Sequence, residues 1–95
     1  MLMNNSNTSQ AFPLGMASEG EIVKIVSVVG GKNLVKRLTA MGIMADTQLK
    51  ILQRQKGTGL VLARGETRLA LGVGMANKIL VVPVVENLFH DAQLT

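Results

Sequence analysis

Glycines at positions 30, 31, 42, 57, 59, 65, 72 and 74 cut the middle of this 95-residue chain into short segments. Glycine accepts backbone angles that other residues resist, so each of these positions is a natural corner. The segments between them are mostly β-branched or alternating in polarity, and none is long enough to hold a helix without packing. A chain punctuated this way is confined to a small sheet-based domain. Hydrophobic residues make up 47% of it, enough for a core at this length. Closing the sheet into a barrel would also remove exposed strand edges.

Five strands and one short helix are expected. Residues 21–29, EIVKIVSVV, are apolar on both faces and read as a covered strand that ends at Gly30-Gly31. Asn33 then caps a helix over residues 34–41, with Leu34, Leu38 and Met41 spaced i, i+4 and i+7 on one stripe. Gly42 stops that helix in a left-handed cap, and Ile43 folds back on its last turn. Residues 47–54 form the second strand, with Leu49 and Ile51 on one side and Lys50, Leu52 and Arg54 on the other. After a turn at Lys56-Gly57-Thr58-Gly59, residues 60–64 and 67–71 make a hairpin. Its two-residue loop, Gly65-Glu66, fits type II′. The last strand covers residues 79–84. The Asn/Ser/Thr-rich residues 1–12 are expected to be a disordered tail and residues 86–95 a second tail, leaving one domain at 13–85.

Several function classes recede on composition. The chain has no cysteine, so it can form neither a disulfide nor a thiolate metal site. The start, MLMNNSNTSQ, lacks the basic and apolar regions of an export leader. The longest apolar run, Ile79 to Val85, falls well short of the roughly 20 residues that cross a bilayer. With no Tyr, Trp or Cys and with His90 the single histidine, no nucleophile–base set is visible, and no enzyme is expected. His90 reads as a solvent-exposed tail residue. A metal site without thiolates needs histidines with a carboxylate, or a carboxylate cluster, and Glu19, Glu21, Asp46 and Glu66 are scattered. Neither a metal nor a cofactor is expected.

Gly72-Val73-Gly74, straight after an apolar strand, raises the question of a phosphate loop. A dinucleotide fingerprint needs a third small residue where Asn77 stands, and a crossover helix for which there is no room before Ile79. The structural reading is that Gly72 and Gly74 allow a sharp turn, while Met75 and Ala76 form one helical turn that plugs the end of the barrel.

All ten cations lie between Lys24 and Lys78, against four acids in the stretch from Pro13 to Val85, so a partner with an acidic surface is favoured. Lys36 and Arg37 lie on the helix away from its apolar stripe. The sequence leaves open whether they join Lys32, Lys50 and Arg54 in one patch. Met41 and Met44 read as core filler at the helix end, the alternative being that one is an exposed apolar contact.

One order of residues carries a resemblance. Gly30-Gly31, the helix with Leu38, Met41-Gly42-Ile43 and the strand with Leu49 and Ile51 are followed by Arg64-Gly65, Leu69-Ala70-Leu71-Gly72, Met75-Ala76 and Ile79. Together they resemble the FeoA domain, the small cytosolic component of the bacterial ferrous-iron transport system. The resemblance implies a mainly β, SH3-like barrel of about five antiparallel strands. It implies a cytoplasmic, non-enzymatic regulatory partner of a large ferrous-iron permease that carries a cytosolic GTP-binding domain. The chain departs from the family's usual Pro-Gly at Ala45-Asp46, and from a frequent Gly-Pro at Thr58-Gly59. Lys36, Arg37, Leu38, Met41, Gly42, Ile43 and Met44 are the residues expected to build or support the partner contact. The runner-up function is a basic nucleic-acid-binding barrel, supported by charge and opposed by the lack of aromatic residues for base stacking. A groove for proline-rich peptides would need aromatic walls that this chain lacks.

Overall fold

The computed structural model describes residues 11–84. Within them run the strands β1 (Phe12–Pro13), β2 (Ile22–Val28), β3 (Gln48–Gln55), β4 (Gly59–Arg64), β5 (Thr67–Gly72) and β6 (Ile79–Pro83). The helix α1 (Lys32–Ala40) lies between β2 and β3, the single turn α2 (Val73–Ala76) lies between β5 and β6, and a 3-10 turn at Leu14–Met16 follows β1. All pairings are antiparallel, in the order β1-β6-β2-β3-β4-β5.

This is the expected mainly β, SH3-like architecture, with one correction: the hydrogen-bonded sheet does not close. β1 and β5 are its two ends. β1 has only two residues, one of them a proline with no N–H to give a neighbour. β5 runs straight into α2, which packs on the 3-10 turn beyond β1, so helical turns fill the gap that a ladder would have closed. The sheet bends through irregularities in β2, between Ile25 and Ser27, and in β3, between Ile51 and Gln53. β3 thereby pairs with β2 through its first half and with β4 through most of its length.

Alternation does the rest. Val23 and Ile25, Leu49 and Ile51, Leu60 and Leu62, Leu71, and Ile79 and Val81 all point inward and are buried. Leu14, Ala17, Leu38, Ile43 and Ala76 seal the open sides of this aliphatic core. No polar or charged residue is buried among those described.

The start of the ordered body needs moving. Phe12, assigned to a disordered tail on composition, pairs with Val81 and packs against the core. Residues 1–10 and 85–95 lie outside the described residues. The apolar positions 12, 14 and 17 were the missed signal, hidden behind a polar run. The segment from Phe12 to Glu21 is strapped to β3. Gly20 N–H donates to Ile51 C=O at 2.7 Å, and Arg54 N–H donates to Glu19 Oε2 at 2.8 Å. The Arg54 guanidinium donates to the carbonyls of Gly15, at 2.7 Å, and Ala17. Arg54→Gln is expected to cost about 1–2 kcal/mol in urea unfolding, since charge-assisted bonds to carbonyls are lost from a partly solvated site. An unchanged midpoint would show that the strap holds without them.

Candidate functional site

Helix α1 is the least buried element of the body. Of its nine residues only Leu38 is fully buried, and Leu34 is half-buried against the core. Its N-cap is Gly31, with no side-chain cap bond, so Asn33 sits inside the first turn instead of capping it. Gly31 gives the helix an extended entry, and the predicted cap is two residues late.

The far end is built as expected. Gly42 has φ +81°. Ile43 N–H donates to Leu38 C=O at 2.8 Å, and Gly42 N–H donates to Thr39 C=O at 2.9 Å. These two bonds are a Schellman cap, and Leu38 and Ile43, the residues it brings together, are both buried. Asp46, φ 73°, makes the next corner, a backbone conformation that aspartate tolerates better than most residues.

Arg64 props this corner from β4. A Cβ placed on Gly42 would meet Arg64 Cζ at 2.6 Å, so the guanidinium lies flat against the glycine. Its Nε is buried without a hydrogen-bond acceptor. A fixed cation is nonetheless favourable beside the carbonyl end of a helix. Gly42→Ala is expected to cost about 1–2 kcal/mol for the left-handed backbone alone, more as Arg64 is displaced. Thermal unfolding would register this as a fall of about 4–8 °C for each kcal/mol. A wild-type midpoint would mean that the corner relaxes freely.

The residues expected at a partner contact therefore divide. Leu38 and Ile43 are core, Met41 packs on the core, and Gly42 is a corner. Lys36 and Arg37 are exposed, and Met44, 44% exposed, is the more exposed of the two methionines. Sequence reasoning missed Val29 and Val35, 56% and 40% exposed. Val29 reads as part of a strand covered on both faces, and Val35 lies off the helix's apolar stripe of Leu34, Leu38 and Met41. An open groove of 740 Å³ runs along α1, lined by Gly30, Lys32, Val35, Lys36, Thr39 and Ala40 among others.

Lys32, Lys36 and Arg37 share α1, but the larger basic patch does not form. Lys50 faces Ile22 at the opposite end of β2, about 20 Å away at strand rise, and Arg54 is committed to the N-terminal strap.

The glycine segment before Ile79 resolves as structure. Ala76 is buried and Met75 packs on the core, as a plug would. Gly72 has φ −68°, and neither it nor Gly74 is among the described residues with positive φ, so glycine is not needed there for the turn. No group of three or more His, Cys, Asp or Glu side chains able to hold a metal occurs among the described residues. None of their helices is long and apolar enough to cross a membrane.

Fold and site together define an SH3-like β-domain with one short, largely exposed helix that carries Lys32, Val35, Lys36 and Arg37 on its outside. The chain belongs to the FeoA domain family, whose pattern matches residues 12–83. A candidate Fe(2+) transport protein A of Methanocaldococcus jannaschii is 36% identical over 70 residues, 74% of this chain and 84% of that protein. The crystal structure of an iron uptake regulatory protein (FeoA) superposes with a TM-score of 0.74 at 24% identity, over 78% of this chain and 99% of the other. A manganese-dependent transcriptional repressor contains the same fold, with a TM-score of 0.72 at 21% identity, over 78% of this chain and 42% of the repressor.

Proposed function

We propose that this protein is a cytoplasmic accessory factor of ferrous-iron uptake. It binds the cytosolic part of the ferrous-iron permease and modulates it, without catalysing a reaction itself. Family membership and the Methanocaldococcus jannaschii relative support the link to iron transport. The observation that carries the docking role is the exposed surface of α1, where Val35 lies between Lys32 and Lys36 in the wall of one open groove. Exposed apolar side chains in such a groove on a small domain mark a contact surface. Iron is the cargo of the transporter in this reading and need not touch the domain.

Modulation requires the domain to bind two permease states with different affinity, because equal affinity shifts nothing. Capture from native membranes with a tagged chain, followed by mass identification, is the direct test. The permease is expected among the captured proteins, and ferrous uptake is expected to change when the gene is deleted. Failure to capture the permease, together with normal uptake in the deletion strain, would rule the proposal out.

A further inference from the structure

We infer that α1 receives an acidic amphipathic helix of about three turns from its protein partner, an inference that rests on the docking role proposed above. The backbone of α1 hydrogen-bonds within itself and through its C-terminal cap, so its outer face offers side chains only. A strand could not add to such a face, whereas a second helix can lay its side-chain ridges along it. The groove follows the helix for its whole nine-residue length, which sets the size of the occupant.

The charge sets the occupant's chemistry. Lys32 and Lys36 line the groove, Arg37 lies beside it, and no carboxylate lines it. The backbone of Lys78 lies beside Val29, ahead of the helix, its carbonyl accepting the Val29 N–H at 2.7 Å. Val35 lies between Lys32 and Lys36 in the groove wall, with exposed Val29 just before Gly30. The matching surface is an apolar stripe edged by Asp and Glu. A nucleic acid would leave the valines unmatched and would find no aromatic ring in the groove on which to stack a base. A bilayer surface would want bulky Trp, Phe or Leu side chains on the outer face, where α1 has Val, Thr and Ala.

The test measures binding of the purified chain to the purified cytosolic part of the ferrous-iron permease from the same organism. Lys32→Glu with Lys36→Glu is the informative pair. Lys32 opens the helix, where an acid suits the helix dipole, and Arg37 in the last turn is left in place, so the fold is kept. Affinity is expected to fall about tenfold or more, chiefly through the association rate, and wild-type binding is expected to weaken with salt. Val35→Asn should weaken binding with little change in its salt dependence. Lys56→Glu and Arg68→Glu, away from α1, should leave it unchanged. Exchanging acids for lysines on the partner's helix should restore binding to the doubly reversed chain. Wild-type affinity in the Lys32→Glu/Lys36→Glu variant would overturn this inference while leaving the proposed function standing. No binding by the wild-type chain would instead remove the function on which it rests. Equal loss of binding to a single-stranded oligonucleotide or to phosphatidylserine vesicles, with permease binding retained, would reassign the surface and also overturn it.

Discussion

Leu38→Ala is expected to destabilise the protein by about 2–5 kcal/mol, the usual range for emptying a fully buried leucine site. Leu38 is 0% exposed and is the only residue of α1 in that state. Its carbonyl also receives the Ile43 N–H that closes the helix cap, so the side chain and the cap act at one point. The substitution leaves the cap's backbone bonds available but removes the side chain that anchors them. Against a total stability of about 5–15 kcal/mol for a small domain, the loss is severe. Urea unfolding measures it. Hydrogen exchange should locate it, with protection lost first at Val35 and Thr39 while Leu49 and Leu62 in the sheet hold theirs longest. A loss below about 0.5 kcal/mol, the scale of an ordinary surface change, would show that α1 is held by something else.

Gly59→Ala is the second large effect, and Gly72→Ala is its control. The two glycines face each other across β4 and β5. A Cβ on Gly59 would overlap the Leu71 carbonyl oxygen and come to 3.0 Å from Gly72 Cα, and backbone cannot swing aside as a side chain can. A Cβ on Gly72 would find its nearest neighbour, Thr58 O, at 3.9 Å, which is ordinary contact. Gly59→Ala must therefore pry the end of β5 from β4 and disturb α2, whose Ala76 is buried. A cost of about 1–3 kcal/mol follows for overpacking. Gly72→Ala should stay within about 0.5 kcal/mol of the wild type. Equal unfolding midpoints for the two variants would contradict the close approach at Gly59.

The contrast between these glycines shows what the sequence made readable. Period-two alternation put Leu49 and Ile51 on one face of their strand, and that face is the buried one, because each strand's inward face is set locally. Gly42 and Gly65 were legible because a helix stop and a two-residue hairpin each demand a specific backbone angle, and both have positive φ. Gly59 differs in kind. Its constraint is a carbonyl twelve residues away in the chain, which only the assembled sheet reveals. The proposed contact surface was half legible for the same reason. Lys36 and Arg37 stand out by charge in the sequence, whereas the exposure of Val29, read as part of a covered strand, and of Val35 is seen only in the assembled domain. β1 escaped notice because two residues carry no periodicity.

β2 and β3 pair directly, with Ile22 opposite Lys50, Val23 opposite Leu49 and Lys24 opposite Gln48. Helix α1 is thus an excursion between neighbouring strands, and the ladder does not depend on which side chains it shows to solvent. Evolution can rewrite that outward face one residue at a time without renegotiating the register of the sheet. The same fold recurs inside a manganese-dependent transcriptional repressor at 21% identity, as a ladder that does not depend on its helix's outer face would allow.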